Sequence, residues 1–152
     1  MKKLEYKIEI AAKPEKVWNT MLEPDTYRQW VNVSWPGSFY KGNWKQGEDI
    51  RFLGGEGQGG TMANLTEVRK PESIKAKHIA VINADGSEDR SSEQAKGWIG
   101  TLEEYTFTEK NGKTEVHVTI MTSPEWESMF NDGWPDALKK LKEISERKAV
   151  TA

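Results

Sequence analysis

The segment LEYKIEIAAKPEKVWNTMLEPDTYRQW, residues 4–30, decides how the chain is expected to fold. Apolar and charged side chains alternate along Leu4–Ile10, which is the period-two pattern of a strand with one buried face. Pro14 then occupies a position that a first helical turn tolerates, and Val17–Leu22 carries one apolar stripe. Pro24 ends this helix, and a second short turn follows. The segment therefore predicts an edge strand that leads into two short helices and closes one side of a curved sheet.

The other end of the chain has the period of an amphipathic helix. Gly133 is expected to interrupt a preceding short turn, and Pro135 to restart the helix in a first-turn position. We predict this helix from Pro135 to about Glu146, with an apolar face made of Trp134, Ala137, Leu138, Leu141 and Ile144. The strands between the two ends need a cover for their apolar face, and this helix is the element long enough to supply it.

The residues between these ends have the pattern of an antiparallel meander. Asn111-Gly112 is the strongest local signal, because this pair supplies the positive φ angles of a tight hairpin turn. Lys70–Ser73 predicts another turn with proline at its second position, and the polar segment from Asn83 to Gly97 is expected to be a loop. The predicted strands lie near Phe39–Lys41 and at Asp49–Leu53, Thr61–Arg69, Ile74–Asn83, Trp98–Glu109 and Lys113–Thr122.

Length and composition limit the classes of protein. The 152 residues predict a single domain, with a core from about residue 4 to residue 146. A net charge of -2 argues against nucleic-acid binding, which usually needs a basic face, and the absence of cysteine excludes disulfides and thiolate chemistry. We recognise neither a signal peptide nor an apolar run of about 18 residues, so we expect no membrane insertion and a cytoplasmic location.

Two histidines are the first candidates for chemistry. His78 shares the strand parity of the apolar residues around it and is predicted to point inward, whereas His117 is expected to be exposed. His78 is then a hydrogen-bonding group of a pocket, a general base, or a wall histidine with satisfied hydrogen bonds, and no acid is visibly paired with it. Glu103 and Glu104 leave opposite faces of a strand, so they cannot form a catalytic pair, but one of the two could point inward and is then the other candidate for a base. We therefore assign no catalytic residue, metal ligand or cofactor.

The aromatic residues are more informative than the glycine-rich segment Gly54–Gly60. That segment lacks a following Lys-Ser/Thr pair and helix, so we interpret it as a strand connection and not as a phosphate loop. Trp30, Trp126 and Phe130 are expected at element ends, where a cup would open. Large apolar side chains there suit an apolar ligand, although ordinary packing of short helices predicts the same pattern. Asn64 is placed on the inward face, where its amide needs a partner such as a ligand or a buried water.

Five short segments carry a resemblance to a known family. They are Ala11–Trp18, Tyr27–Trp30, Gly47–Phe52, Glu67–Ile74 and Gly133-Trp134, the last followed by Leu138 and Leu141. In their order and spacing the chain resembles the START-like helix-grip superfamily (SRPBCC), which includes steroidogenic-acute-regulatory lipid-transfer domains, the birch pollen allergen and polyketide cyclases. It is most similar to the bacterial branch named after the activator of the heat-shock chaperone ATPase. The resemblance implies an α+β fold: a curved antiparallel sheet of about six or seven strands wraps a long C-terminal helix, with two short helices after the first strand.

The resemblance also implies a cavity between the sheet and the last helix. We expect it to bind a small hydrophobic or amphipathic molecule, such as a lipid, without catalysis. The residues predicted to contact the ligand are Trp30, Phe52, Asn64, His78, Tyr105, Trp126, Phe130 and Trp134.

Two alternative functions stay open. The first is an enzyme of the polyketide cyclase or hydratase type that uses His78 as its base. The second is a chaperone-regulatory module that binds a protein, an activity suggested by the branch name alone. A protein-binding module predicts an exposed apolar patch, for which the loop residues Trp35, Phe39 and Trp44 are the candidates.

Overall fold

In the computed structural model, which describes residues 1–55 and 59–147, an open antiparallel sheet curves around one long helix. The predicted glycine-rich turn falls partly on residues 56–58, outside the described residues. The sheet has eight strands, which are β1 (Lys2–Ile10), β2 (Phe39–Lys41), β3 (Asp49–Leu53), β4 (Gly60–Arg69), β5 (Ser73–Ile82), β6 (Glu88–Asp89), β7 (Leu102–Lys110) and β8 (Lys113–Thr122).

The helices lie at the two ends of the chain and in one connection. They are α1 (Pro14–Leu22), α2 (Pro24–Asn32), α3 (Glu93–Trp98) and α4 (Glu127–Ser145), and a 3₁₀ turn at Pro124–Trp126 precedes α4. Among the described residues, no helix is long and apolar enough to cross a membrane. The predicted α+β architecture, with two short helices after the first strand and a long C-terminal helix, is confirmed.

The strand order is β1-β8-β7-β5-β4-β3-β2, with β6 beside β5. Strand β1 therefore lies at an edge of the sheet, as the alternation in residues 4–10 predicts. All paired strands are antiparallel. One face of the sheet packs against the helices and forms the core, and the other faces outward. The largest fully buried side chains of the sheet belong to the inward face, and they include Ile10, Ile50, Leu65, Ile74, Val116, Val118 and Ile120.

The hairpin of β7 and β8 turns at the predicted dipeptide. Asn111 has a φ of 52° and Gly112 a φ of 80°, and the turn is closed by the pairing of Lys110 with Lys113. The side chains predicted to face the last helix are all buried, namely Tyr105, Phe107, Val116, Val118 and Ile120. The hairpin prediction is confirmed from Leu102 onward.

The segment predicted as a polar loop, Asn83 to Gly97, instead contains β6 and most of α3. Ser92 caps α3, because its hydroxyl oxygen accepts a hydrogen bond from the backbone N–H of Ala95 at 3.1 Å. The capped turn carries Trp98 into the core, where 6% of its surface is exposed. Trp98 therefore ends a helix and does not begin the following strand as predicted.

Helix α4 is continuous, so the predicted interruption at Gly133 and the restart at Pro135 are wrong. A proline inside a helix costs about 3 kcal/mol, and the burial of residues on both sides of it, such as Trp134 and Ala137, outweighs that cost. Gly133 is needed for packing instead, because a Cβ atom there would lie 2.4 Å from Cζ2 of Trp35.

A β-bulge in β5 changes which side chains reach the core. Met62 pairs with Ala80 and Ala63 pairs with His78, so Ile79 is an extra residue between these two pairs. The alternation of inward and outward side chains along β5 therefore reverses at this point. Ala63 joins the main core beside His78, whereas Ala80 packs with Met62 in a separate apolar cluster.

Asn64 lies on β4 between Ala63 and Leu65, whose side chains join the main core, so Asn64 points outward and its predicted inward position is wrong. The prediction grouped Asn64 with Met62, and Met62 belongs to the separate cluster beyond the sheet's inward face. The amide nitrogen of Asn64 donates to the carbonyl oxygen of Gly47 at 3.1 Å and to the carboxylate of Asp49 at 3.0 Å. These partners satisfy the amide without a ligand.

The buried face of α4 leads to a stability prediction. Leu141 has an exposed fraction of 0%, so we expect Leu141→Ala to lower the free energy of unfolding by about 2–5 kcal/mol through the cavity it leaves. Lys139→Ala, on the exposed face of the same helix, is expected to change it by less than about 0.5 kcal/mol. Urea denaturation followed by tryptophan fluorescence measures both values, and equal effects would contradict the assigned helix face.

Candidate functional site

A cavity of about 210 Å³ lies between the inward face of the sheet and helices α1, α2 and α4. Its wall is almost entirely apolar, and its polar side chains are Thr61, His78 and Glu103. Nine aromatic side chains line it, namely Tyr27, Trp30, Trp35, Trp44, Phe52, Trp98, Tyr105, Phe130 and Trp134. The arrangement suits an apolar guest with few polar groups.

Trp134 stands at the centre of this aromatic wall. It projects from α4, and its ring centroid lies 5.8 Å from those of both Trp30 and Tyr105 and 5.6 Å from that of Trp35. The indole N–H of Trp30 donates to the backbone carbonyl oxygen of Met21 at 3.0 Å, which ties α2 to α1. One side of the cavity is therefore held by contacts among three helices and a strand.

The polar side of the wall is a buried group of three side chains, which we call the His-Glu-Tyr cluster: His78, Glu103 and Tyr105. His78 comes from β5, and the other two come from the neighbouring strand β7. Nε2 of His78 lies 3.0 Å from Oε1 of Glu103, and the Tyr105 hydroxyl donates to the other carboxylate oxygen. The exposed fractions of the His78 and Glu103 side chains are 1% and 10%. Both oxygens of a buried carboxylate thus have partners.

These contacts determine the charge of the cluster. Burial by itself would raise the pKa of Glu103, but the hydrogen bonds that its carboxylate accepts from the His78 ring and from Tyr105 favour the charged form, and the pKa is lowered. Burial raises the pKa of Tyr105 well above its ordinary value, and the neighbouring Glu103 charge raises it further. Glu103 is therefore a carboxylate that only accepts hydrogen bonds, and Tyr105 keeps its proton.

Several polar atoms around the cavity have no hydrogen-bond partner in the part of the chain that the structure describes. They include Nδ1 of His78 and the indole Nε1 atoms of Trp98 and Trp134. The ring of Trp98 lies against that of His78, with centroids 4.7 Å apart. Buried polar atoms usually have partners, so these atoms are the places where a bound molecule would form hydrogen bonds.

Six of the eight residues predicted to contact a ligand lie in the cavity wall, namely Trp30, Phe52, His78, Tyr105, Phe130 and Trp134. Asn64 and Trp126 do not. Asn64 points away from the core, and Trp126 lines a neighbouring groove with Trp98 and Met129. Contact of any of these residues with a ligand stays a prediction.

Two important wall residues were missed. Trp98 was assigned to a strand, because the short helix α3 has too few residues to show a period. For the adjacent Glu103 and Glu104 the sequence leaves open that one of them points inward, and it shows no acid paired with His78. In the structure Glu103 is the inward residue and the partner of His78. The signal was present in the strand parity, since Glu103 alternates with Tyr105 and Phe107, both predicted to point inward.

The second histidine lies elsewhere. His117 is on the outward side of the sheet, partly exposed, with Nε2 3.1 Å from a carboxylate oxygen of Glu5. No group of three or more His, Asp or Glu side chains that could hold a metal ion occurs within residues 1–55 and 59–147. The His-Glu-Tyr cluster supplies hydrogen bonds, and we assign it no cofactor.

Solved structures share this fold at low sequence identity. MLL2253 from Mesorhizobium loti has a TM-score of 0.74 and 13% identity, over 98% of this chain and 100% of that chain. The Aha1 dimer from Colwellia psychrerythraea has a TM-score of 0.70 and 20% identity, over 96% of this chain and 97% of that chain. CalU16 from Micromonospora echinospora has a TM-score of 0.67 and 14% identity, over 95% of this chain and 76% of that chain.

These structures are similar in fold, and at such identities they say nothing about the contents of the cavity. No curated protein sequence matches the chain significantly. Residues 11–146 match the family described as Activator of Hsp90 ATPase homolog 1-like protein. That range includes every residue of the cavity wall and most of the sheet, and the chain therefore belongs to this family.

Proposed function

We propose that the protein binds a small apolar molecule, about the size of one substituted aromatic ring, in the cavity between the sheet and α4. The observation that carries this proposal is the cavity of about 210 Å³ lined by nine aromatic side chains. An engineered apolar cavity of about 150 Å³ is large enough to bind benzene. The space here suits one ring with a short substituent.

The size of the cavity also disfavours larger guests. Pockets that hold drug-sized ligands enclose roughly 300–1,000 Å³, which is more than the space found here. A sterol or a long acyl chain would have to displace wall residues such as Trp30 and Trp134, whose exposed fractions are 3% and 4%. Lipid binding, expected from the resemblance, is therefore the less favoured form of the proposal.

Burial alone would give modest affinity. A ring the size of an aromatic side chain removes about 150–250 Å² from water, which at about 25 cal/mol per Å² stabilises the complex by roughly 4–6 kcal/mol. This corresponds to a dissociation constant between about 1 mM and a few tens of µM. Hydrogen bonds to the polar atoms of the wall would have to supply any tighter binding.

A second candidate function, an enzyme of the polyketide cyclase or hydratase type, is favoured by one observation. His78 forms a hydrogen bond with a buried carboxylate, and its Nδ1 atom has no partner among the described residues. An imidazole held in this way can take a proton from a bound substrate. The described residues of the cavity wall include no serine, cysteine or lysine, and the chemistry that the hydrogen bond to Glu103 favours is proton transfer at His78.

A chaperone-regulatory role has weaker support and rests on the description of the family. Two of the three aromatic residues considered for a protein-binding patch, Trp35 and Trp44, are half-buried and pack against other rings. Trp35 packs edge-on against Trp134, and Trp44 packs between Tyr40 and Phe52, with ring centroids 5.5 and 5.9 Å away. We therefore rank this function after the two that use the cavity.

The tryptophan side chains provide a direct test of ligand binding. The chain has seven tryptophans, so a ¹H–¹⁵N spectrum contains a small, assignable set of indole N–H signals. Added toluene is expected to shift the signals of Trp30, Trp98 and Trp134, which line the cavity. Trp18 packs against Phe107 away from the wall and serves as the internal control. Uniform small shifts, or none up to saturating toluene, would contradict the proposal.

A cavity-filling variant tests the location of the bound molecule. Thr61 lines the cavity, so the larger ring in Thr61→Phe is expected to occupy part of the space and abolish the toluene-induced shifts. Thr119→Phe adds the same ring to β8 outside the cavity wall and is expected to leave toluene binding unchanged. Loss of binding in both variants, or in neither, would place the bound molecule somewhere else.

A further inference from the structure

We infer that the molecule bound in the cavity carries a hydroxyl or N–H group that donates a hydrogen bond to Nδ1 of His78. The site would then select phenol-like aromatic molecules over hydrocarbons of the same shape. This inference rests on the proposed ligand-binding function and adds the chemical class of the ligand.

The hydrogen bonds of Glu103 determine the tautomer of His78. Glu103 is a carboxylate, and a carboxylate has no hydrogen to donate. One of its oxygens accepts from Tyr105, and the other lies 3.0 Å from Nε2 of His78. Nε2 must therefore carry the hydrogen of this bond. A neutral imidazole has one N–H, so Nδ1 is left with a lone pair and no hydrogen.

Nδ1 of His78 lies in largely apolar surroundings. The atom is buried, and within the described residues no group donates to it. The imidazole packs beside two apolar rings, with centroid distances of 4.7 Å to Trp98 and 5.9 Å to Phe52. An acceptor in such a place gains most from a donor that arrives with the ligand, because the wall itself provides no alternative.

Two further polar groups of the wall favour a hydroxyl group over other hydrogen-bond donors. The wall also contains the indole N–H groups of Trp98 and Trp134, which are buried and have no acceptor among the described residues. A hydroxyl group both donates and accepts hydrogen bonds. A hydroxyl therefore matches both kinds of unpartnered atom among the described wall residues, an acceptor and a donor, whereas an aldehyde matches only the indoles and a hydrocarbon matches neither.

The opposite protonation state makes the opposite prediction. If His78 were an imidazolium, Nδ1 would carry a hydrogen, and the site would select a molecule with an acceptor, such as an aldehyde. Such a cation would lie within an almost wholly apolar wall, with the Glu103 carboxylate as its partner on the other nitrogen. The experiment must therefore compare donors with acceptors of equal size.

The test compares toluene, phenol and benzaldehyde, with binding constants measured by NMR titration of the unmodified protein and of His78→Phe. The variant keeps a flat ring and removes both nitrogens. We expect the affinity of phenol relative to toluene to fall by about 2- to 12-fold in the variant, the effect of losing one neutral hydrogen bond. The affinity of benzaldehyde relative to toluene is expected to change by less than about 2-fold.

The possible outcomes are separable. If His78→Phe lowers the relative affinity for benzaldehyde instead of that for phenol, or leaves both affinities relative to toluene unchanged, the inference is overturned. Toluene binding would in that case still support the proposed function. Failure of all three molecules to bind the unmodified protein would overturn the proposed function as well.

A second measurement needs no variant at position 78. The chain has two histidines, so ¹⁵N-histidine labelling gives two rings, and His117→Asn on the outward face identifies the signals of His78. We expect a protonated Nε2 and an unprotonated Nδ1, and a change in the Nδ1 signal when phenol is added but a much smaller one with toluene. A protonated Nδ1 in the free protein would overturn the inference.

Discussion

The fold depends on covering the apolar face of a wide sheet with a single long helix. Helix α4 packs against β1, α1 and α2, and it therefore covers the part of the sheet nearest to these elements. The part formed by β3, β4 and β5 is covered by aromatic side chains from α2, α3 and the loops. The cavity lies between the part of the sheet that α4 covers and the part that these aromatic side chains cover.

The His-Glu-Tyr cluster in the cavity wall is a feature that apolar packing alone does not explain. A buried carboxylate is costly unless its hydrogen bonds are satisfied, and replacing such a group by apolar residues is often neutral or stabilising. Glu103 nevertheless lies on a central strand with both oxygens engaged, and Tyr105 and His78 are oriented by it. Because stability gains little from this arrangement, a buried polar cluster that faces a cavity is a candidate functional site.

The sequence predicted the elements better than the orientations of individual side chains. Alternation at the first strand and Asn111-Gly112 at the last hairpin act locally, and the structure retains both. Met62 is buried on the outward face of β4, so grouping Asn64 with this buried residue placed Asn64 on the wrong face. At Pro135 a local rule was overridden by burial of the helix face. Glu103 was predictable from the parity of its own strand, but the bond to His78 depends on the pairing of two strands.

Membership of the family accounts for the fold of the chain, whereas the polarity of the cavity wall depends on individual side chains of this sequence. The solved structures share the fold at 13–20% identity, so the sheet and α4 are compatible with very different sequences. In this chain the two groups that determine polarity, His78 and Glu103, come from adjacent strands of the sheet and not from loops. Paired strands hold such groups within a narrow range of positions. The fold therefore supplies the space, and a short section of β5 and β7 supplies the buried polar groups of its wall.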